Sequence, residues 1–134
     1  MTEMEIKDLI KKAYEASAFS YSPYSELCIG AALLTEEGEV YTGTNIENAT
    51  YGATVCAERT AVFKAVSEGK KNFKSIAVVC RKEGILPYPC GICRQVLAEF
   101  NPKMDVIVAT NFEEYKIVNL SELLTYPFEF IKNK

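Results

Sequence analysis

The sequence predicts a three-layer α/β domain built on a mixed sheet. Three observations point to it. Two strand-like runs flank a tight Glu36-Glu37-Gly38 turn and make a hairpin. Strand-like and helical stretches then alternate to the C-terminus. No internal repeat, low-complexity tract or linker interrupts the 134 residues, so residues 1–134 are expected to form one domain.

Each element has its own reason. Ile6, Leu9, Ile10, Ala13 and Ala16 or Ser17 recur at three-to-four spacing, which predicts an amphipathic helix over 3–17. Ala18 to Ser25, broken by Pro23, is a loop. Leu27–Thr35 (LCIGAALLT) reads as a buried strand and Glu39–Thr44 as its hairpin partner. Cys56–Ser67 is helical and stops before Gly69. Ser75–Cys80 (SIAVVC) is a short, continuously apolar strand of the kind buried on both faces. Cys90–Phe100 is a third helix, ended by Asn101-Pro102. Asp105–Ala109 is another buried strand, and Glu114–Val118 follows it after a turn. Ser121 opens a last short helix with Glu122 in its first turn.

Composition narrows the function. With 49% hydrophobic and 25% charged residues, the chain carries too much apolar surface for a disordered protein. Fifteen basic residues against eighteen acidic ones give a net charge of −3 and a pI near 5.1. A phosphate-backbone binder needs a basic face, so nucleic acid is not an expected partner. Nothing approaches the ~18 apolar residues of a membrane span, and the charged start MTEMEIKDLIKK has no signal-peptide core. The expected compartment is the cytoplasm. Cysteines there are thiols or metal ligands, not disulfides. There are five, Cys28, Cys56, Cys80, Cys90 and Cys93, and no histidine. Ser-His and Cys-His nucleophiles and every His-ligated metal site are thereby excluded.

The chemistry concentrates in Cys56-Ala57-Glu58 and Pro89-Cys90-Gly91-Ile92-Cys93. A Cys-x-x-Cys at a helix start brings two sulfurs together within one turn, and the helix N-terminus favours thiolate. Cys56 opens the preceding helix in the same manner. Three such thiolates would leave a fourth zinc position open, the catalytic pattern, whereas four protein ligands would make a structural site. Glu58, two residues on, can reach whatever fills the open position. Taken alone, Cys-x-x-Cys also fits a redox pair, or half of a four-cysteine structural site completed by Cys28 or Cys80. Those two cysteines fall in apolar strands and read most simply as core residues. The combination Cys-x-Glu with Pro-Cys-x-x-Cys matches the three-cysteine version of the zinc-deaminase signature.

YSPYSELCIGAALL (21–34), GTNIENA (43–49), VCAERTAVFKAVSEG (55–69) and PCGICRQV (89–96) together resemble the small homotetrameric cytidine deaminases over nearly the whole chain. The resemblance implies an α/β/α cytidine-deaminase-like fold with a mixed five-stranded sheet flanked by helices. It implies one Zn2+ per chain on Cys56, Cys90 and Cys93. It further implies zinc-dependent hydrolytic deamination of cytidine and 2′-deoxycytidine for pyrimidine salvage, with zinc-activated water adding to C4 and Glu58 shuttling protons. Arg59 would compensate the thiolate charge. Asn45 and Glu47 would hold the ribose through its 3′-OH, and the Ala57 N–H would meet the pyrimidine. Leu27 stands where the family commonly places an aromatic residue against that ring. Tyr51 lies in a stretch that reaches a neighbouring active site, and Phe128 aligns with an aromatic contributed by a neighbouring subunit. Burial between subunits would account for the apolar run Leu123–Ile131. A blasticidin S deaminase, or another amino-heterocycle deaminase of the same fold, is the alternative enzyme. A non-enzymatic zinc module is the alternative of another class.

Overall fold

A computed structural model describes residues 1–130. The first helix, α1 (Glu3–Ala16), begins in a capping box: Thr2 Oγ1 accepts the Glu5 N–H, and the Glu5 carboxylate accepts the Thr2 N–H. Its buried residues are Ile6, Leu9, Ile10 and Ala13. A single 3-10 turn, Ser17–Phe19, carries the chain off its end.

Strands β1 (Ile29–Thr35) and β2 (Val40–Thr44) form the expected hairpin, with Gly38 at φ +93° in the turn. Helix α2 (Ala57–Ser67) leads into β3 (Phe73–Cys80), α3 (Gly91–Phe100), β4 (Asp105–Ala109), β5 (Tyr115–Asn119) and the short α4 (Leu120–Leu123). The sheet order is β2-β1-β3-β4-β5. Of these neighbouring strand pairs, β3–β4 is parallel and the rest antiparallel, and α3 is the parallel pair's crossover.

Side-chain alternation sorts the core into two halves. Ala31 and Leu33 of β1, Ile76 and Val78 of β3, and Val106 and Val108 of β4 pack with Ala57, Ala61, Val62 and Ala65 of α2 and Leu97 of α3. Their neighbours Ala32, Ala77, Val79, Ile107 and Ala109 point the other way, onto α1. The result is the predicted three-layer α/β/α arrangement: α1 on one face, and α2, α3 and Leu120 of α4 on the other. Two glycines set the layer spacing. A Cβ on Gly30 would lie 1.9 Å from the Ala13 carbonyl oxygen of α1, and one on Gly43 would lie 2.6 Å from the Ala57 carbonyl of α2.

Several boundaries differ from those read in the sequence. Helix α1 stops at Ala16, one residue early, and β2 starts one residue late, at Val40. The first strand begins at Ile29, not Leu27, because Glu26 takes φ +62° and turns the chain just before it. Cys28 is therefore half-buried in a loop, with its Sγ 3.7 Å from Ser22 Oγ, and not a strand core residue; Cys80 is buried in β3 as expected. The third strand starts two residues early because Phe73 is buried and pairs with Thr35 across an irregularity in the β1–β3 register. Strand β5 is shifted one residue later, and α4 starts at Leu120 because the Asn119 side chain accepts the Ser121 N–H as its cap. Cys56 and Cys90 are the N-caps of α2 and α3, with extended backbone, instead of first helical residues.

Candidate active site

The two N-caps define the site. A capping residue ordinarily turns its side chain onto the free N–H groups of the first turn. Neither Cys56 nor Cys90 does so. Their sulfurs instead lie 3.9 Å apart, and Cys93, one turn into α3, completes a group whose three Sγ atoms are all within 4.8 Å of one another. A tetrahedral zinc with Zn–S bonds of about 2.3 Å holds its sulfurs about 3.8 Å apart. The donor set therefore fits zinc. Among the described residues no fourth Cys, Asp or Glu joins the group, so neither Cys28 nor Cys80 completes a closed four-ligand site.

The three cysteines differ in their surroundings. Cys93 is buried, Cys56 half-buried and Cys90 exposed. A hydrogen bond from the Cys93 thiol holds the Cys56 thiol down to about 5, against the opposing pull of burial and with help from Arg59. The same bond, with burial, pushes Cys93 up.

Arg59, one turn along α2, places Nη2 3.5 Å from Cys56 Sγ and 3.4 Å from the Thr54 carbonyl. Its Nε is buried without a protein partner. Glu58 is only 5% exposed. Burial raises its carboxyl to about 7; the negative Cys56 adds to that, while its own N–H and Arg59 oppose it. A carboxyl titrating near neutrality beside three candidate metal ligands suits proton transfer in either direction. Ala57, the first residue of α2, is fully buried.

Asn45 and Glu47 follow β2, and both organise the 20–28 loop. Asn45, 7% exposed, accepts at Oδ1 from Ser20 Oγ and the Ile29 N–H and donates from Nδ2 to the Leu27 carbonyl. One Nδ2 hydrogen remains outside these bonds. Glu47 accepts the N–H groups of Tyr24 and Ser25 at 2.9 and 3.1 Å, and the Ser25 hydroxyl as well. The Ser25 hydroxyl is the largest cause holding its carboxyl below the ordinary 4.5. Glu47, Tyr24, Ser25, Tyr51 and Thr54 line one surface pocket. Leu27 is half-buried beside Cys28. Tyr51 is 76% exposed, with its ring edge-on to Tyr24 at 6.1 Å.

Phe128 belongs to no helix or strand. Its ring is 70% exposed, but its backbone is held to α3 by Gln95. Ile131, the end of the apolar C-terminal run, lies outside the described residues. Sequence reasoning assigned nothing to Arg94 and Gln95, although both stand in the PCGICRQV stretch directly after Cys93. Polar side chains there that bond to distant carbonyls leave no periodicity to detect. Nor did it find Ser20 and Ser25, whose hydroxyls bond Asn45 and Glu47.

Comparison with known proteins agrees with this geometry. The family described as "Cytidine and deoxycytidylate deaminase zinc-binding region" matches residues 4–110. The chain is 46% identical to a cytidine deaminase of Sporosarcina psychrophila over 126 residues, covering 93% of this chain and 92% of the relative. It is 47% identical to a cytidine deaminase of Halalkalibacterium halodurans, covering 93% and 95%. The crystal structure of cytidine deaminase from Burkholderia pseudomallei superposes with a TM-score of 0.86 at 40% identity, covering 96% of this chain and 100% of that one. The chain belongs to the zinc-binding cytidine and deoxycytidylate deaminase family.

Proposed function

We propose that this chain is a single domain over residues 1–134 that hydrolyses the exocyclic C4 amine of cytidine and 2′-deoxycytidine, giving uridine or 2′-deoxyuridine and ammonia. The observation that carries the reading is the zinc-sized three-sulfur group with a buried, neutral-range Glu58 two residues from one of its members. Zinc held by Cys56, Cys90 and Cys93 supplies Lewis acidity that brings the pKa of a water down to roughly 7.

The chain's own residues do the rest. Glu58 accepts a proton from the attacking water as the new C4–O bond forms and passes it to ring N3. It then delivers the second proton of that water to the amine, so that ammonia leaves as the C4–N bond breaks. Three thiolates outweigh a divalent ion by one charge, which weakens its Lewis acidity. The Arg59 guanidinium beside Cys56 offsets that excess. The free amide hydrogen of Asn45 and the carboxylate of Glu47 take the ribose 3′-OH, and the N–H of Ala57 takes the pyrimidine. Leu27 borders the ring in place of an aromatic side chain and leaves space for N4 or C5 substituents.

The working form in this reading is a homotetramer with sites shared between subunits. Tyr51, Phe128, Tyr126 and Phe130 are large apolar side chains exposed on the described surface, and burial by neighbouring copies would cover them. Tyr51 and Phe128 would then reach a neighbour's site. Among the described residues no helix is long and apolar enough to cross a membrane. Three thiolate ligands need a reducing compartment, which fits the cytoplasm.

The deciding experiment follows the cytidine absorbance with purified, zinc-loaded protein. Conversion to uridine is expected. One bound zinc per chain without turnover of cytidine or 2′-deoxycytidine would overturn the substrate assignment and make blasticidin S the next compound. Sedimentation of the same sample as a monomer would overturn the shared site.

A further inference from the structure

Of the three sulfurs, only that of Cys90 belongs to an exposed residue. Cys93 is fixed by core packing and Cys56 has Arg59 on its sulfur. Cys90 ends the irregular segment 81–90, and its side chain caps nothing. Something else must hold it in place. Arg94 meets Cys90 from both sides. Its backbone N–H donates to the Cys90 carbonyl at 2.9 Å, the first bond of α3. Its side-chain Nε donates to the carbonyl of Pro89, the residue just before Cys90, at 2.7 Å. Its Nη1 donates to the Leu123 carbonyl at the end of α4, at 2.8 Å. The guanidinium is a rigid planar fork, so fixing one arm on Leu123 fixes the direction of the other.

We infer that Arg94 is a positioning residue for the metal ligand Cys90, tying the peptide in front of it to the end of α4; this rests on the metal-binding reading above. The fork spans two carbonyls on separate segments, one beside the ligand and one on an element buried through Leu120. It therefore transmits the position of the core to the most exposed of the three ligands. A lysine keeps the charge but offers a single nitrogen, which cannot reproduce the fork. The side chain of neighbouring Gln95 bonds instead to the tail at Phe128.

The test compares wild type, Arg94→Gln, Arg94→Lys and Gln95→Ala. Zinc affinity of the folded chains is read by competition with a chromophoric chelator, and ligand geometry by the absorption bands of the cobalt(II)-substituted chains. Both Arg94 variants are expected to bind zinc about 10- to 100-fold more weakly, with altered cobalt bands, as for losses of other partners that orient metal ligands. Gln95→Ala should keep wild-type affinity and bands. If Arg94→Gln does not fold, Arg94→Lys carries the test. Wild-type affinity and spectrum in a folded Arg94 variant, even one with a lowered melting temperature, would overturn the inference. Full recovery by lysine would do the same, because charge alone would then suffice. Failure of the wild-type chain to bind zinc would instead overturn the metal-binding reading itself.

Discussion

Gln95 and Phe128 close a two-bond ring. Nε2 of Gln95 donates to the Phe128 carbonyl at 2.9 Å, and the Phe128 N–H donates to Oε1 of Gln95 at 3.0 Å. The side-chain amide treats the tail as a neighbouring strand would, satisfying one donor and one acceptor of a segment that belongs to no helix or strand. Gln95→Ala removes both bonds, at a cost of about 1–2 kcal/mol to the docked tail. Limited chymotrypsin digestion should then clip the chain at Tyr126 and Phe128 faster than in wild type, with the rest of the domain unchanged.

Glu58→Gln keeps the size of the side chain and removes its ability to accept a proton. It should retain one zinc per chain and a native circular dichroism spectrum, while cytidine turnover falls by about 10²–10⁴-fold. Loss of zinc in that folded variant would make Glu58 a ligand and reverse its role.

Arg59→Gln leaves Cys56 without its nearby positive charge. Turnover is expected to drop about 10- to 100-fold, the range for partners that tune metal ligands. The melting temperature should move much less. Wild-type turnover in the variant would remove Arg59 from the mechanism.

Glu47 gives a stability signature in acid. Its folded carboxyl lies below the ordinary 4.5, chiefly through the Ser25 hydroxyl, so its contribution is present above that pH and lost as the pH falls through its folded value. Wild type should melt higher than Glu47→Gln at pH 6, and the gap should close as melts are repeated toward pH 3. A gap that stays constant over this range would show that the carboxylate does not hold the 20–28 loop.

The layers and the metal group were legible in the sequence because each leaves a local signal. A continuous apolar run marks β1, three-to-four spacing marks α1, and a Cys-x-x-Cys at a helix start announces its own geometry. The segment before β1 was not legible. Leu27 and Cys28 look like strand residues, but the Asn45 amide takes the Leu27 carbonyl and the Ile29 N–H, and Glu26 turns the chain. That pairing joins residues 16 and 18 positions apart and leaves no trace in any short window. Arg94 escaped for the same reason: its Leu123 partner is 29 residues away.

Gly43 has a consequence for anyone redesigning this pocket. With no side chain at that position, α2 lies against β2, and any Cβ there would collide with the backbone of Ala57 and Ala61 at 2.6 and 2.5 Å. The strand leading to Asn45 and the helix that starts at Cys56 therefore behave as one welded part. Mutations aimed at a new base have no freedom there. The adjustable parts are Leu27 and Tyr51, because the Ser20 and Ser25 hydroxyls are already committed to Asn45 and Glu47.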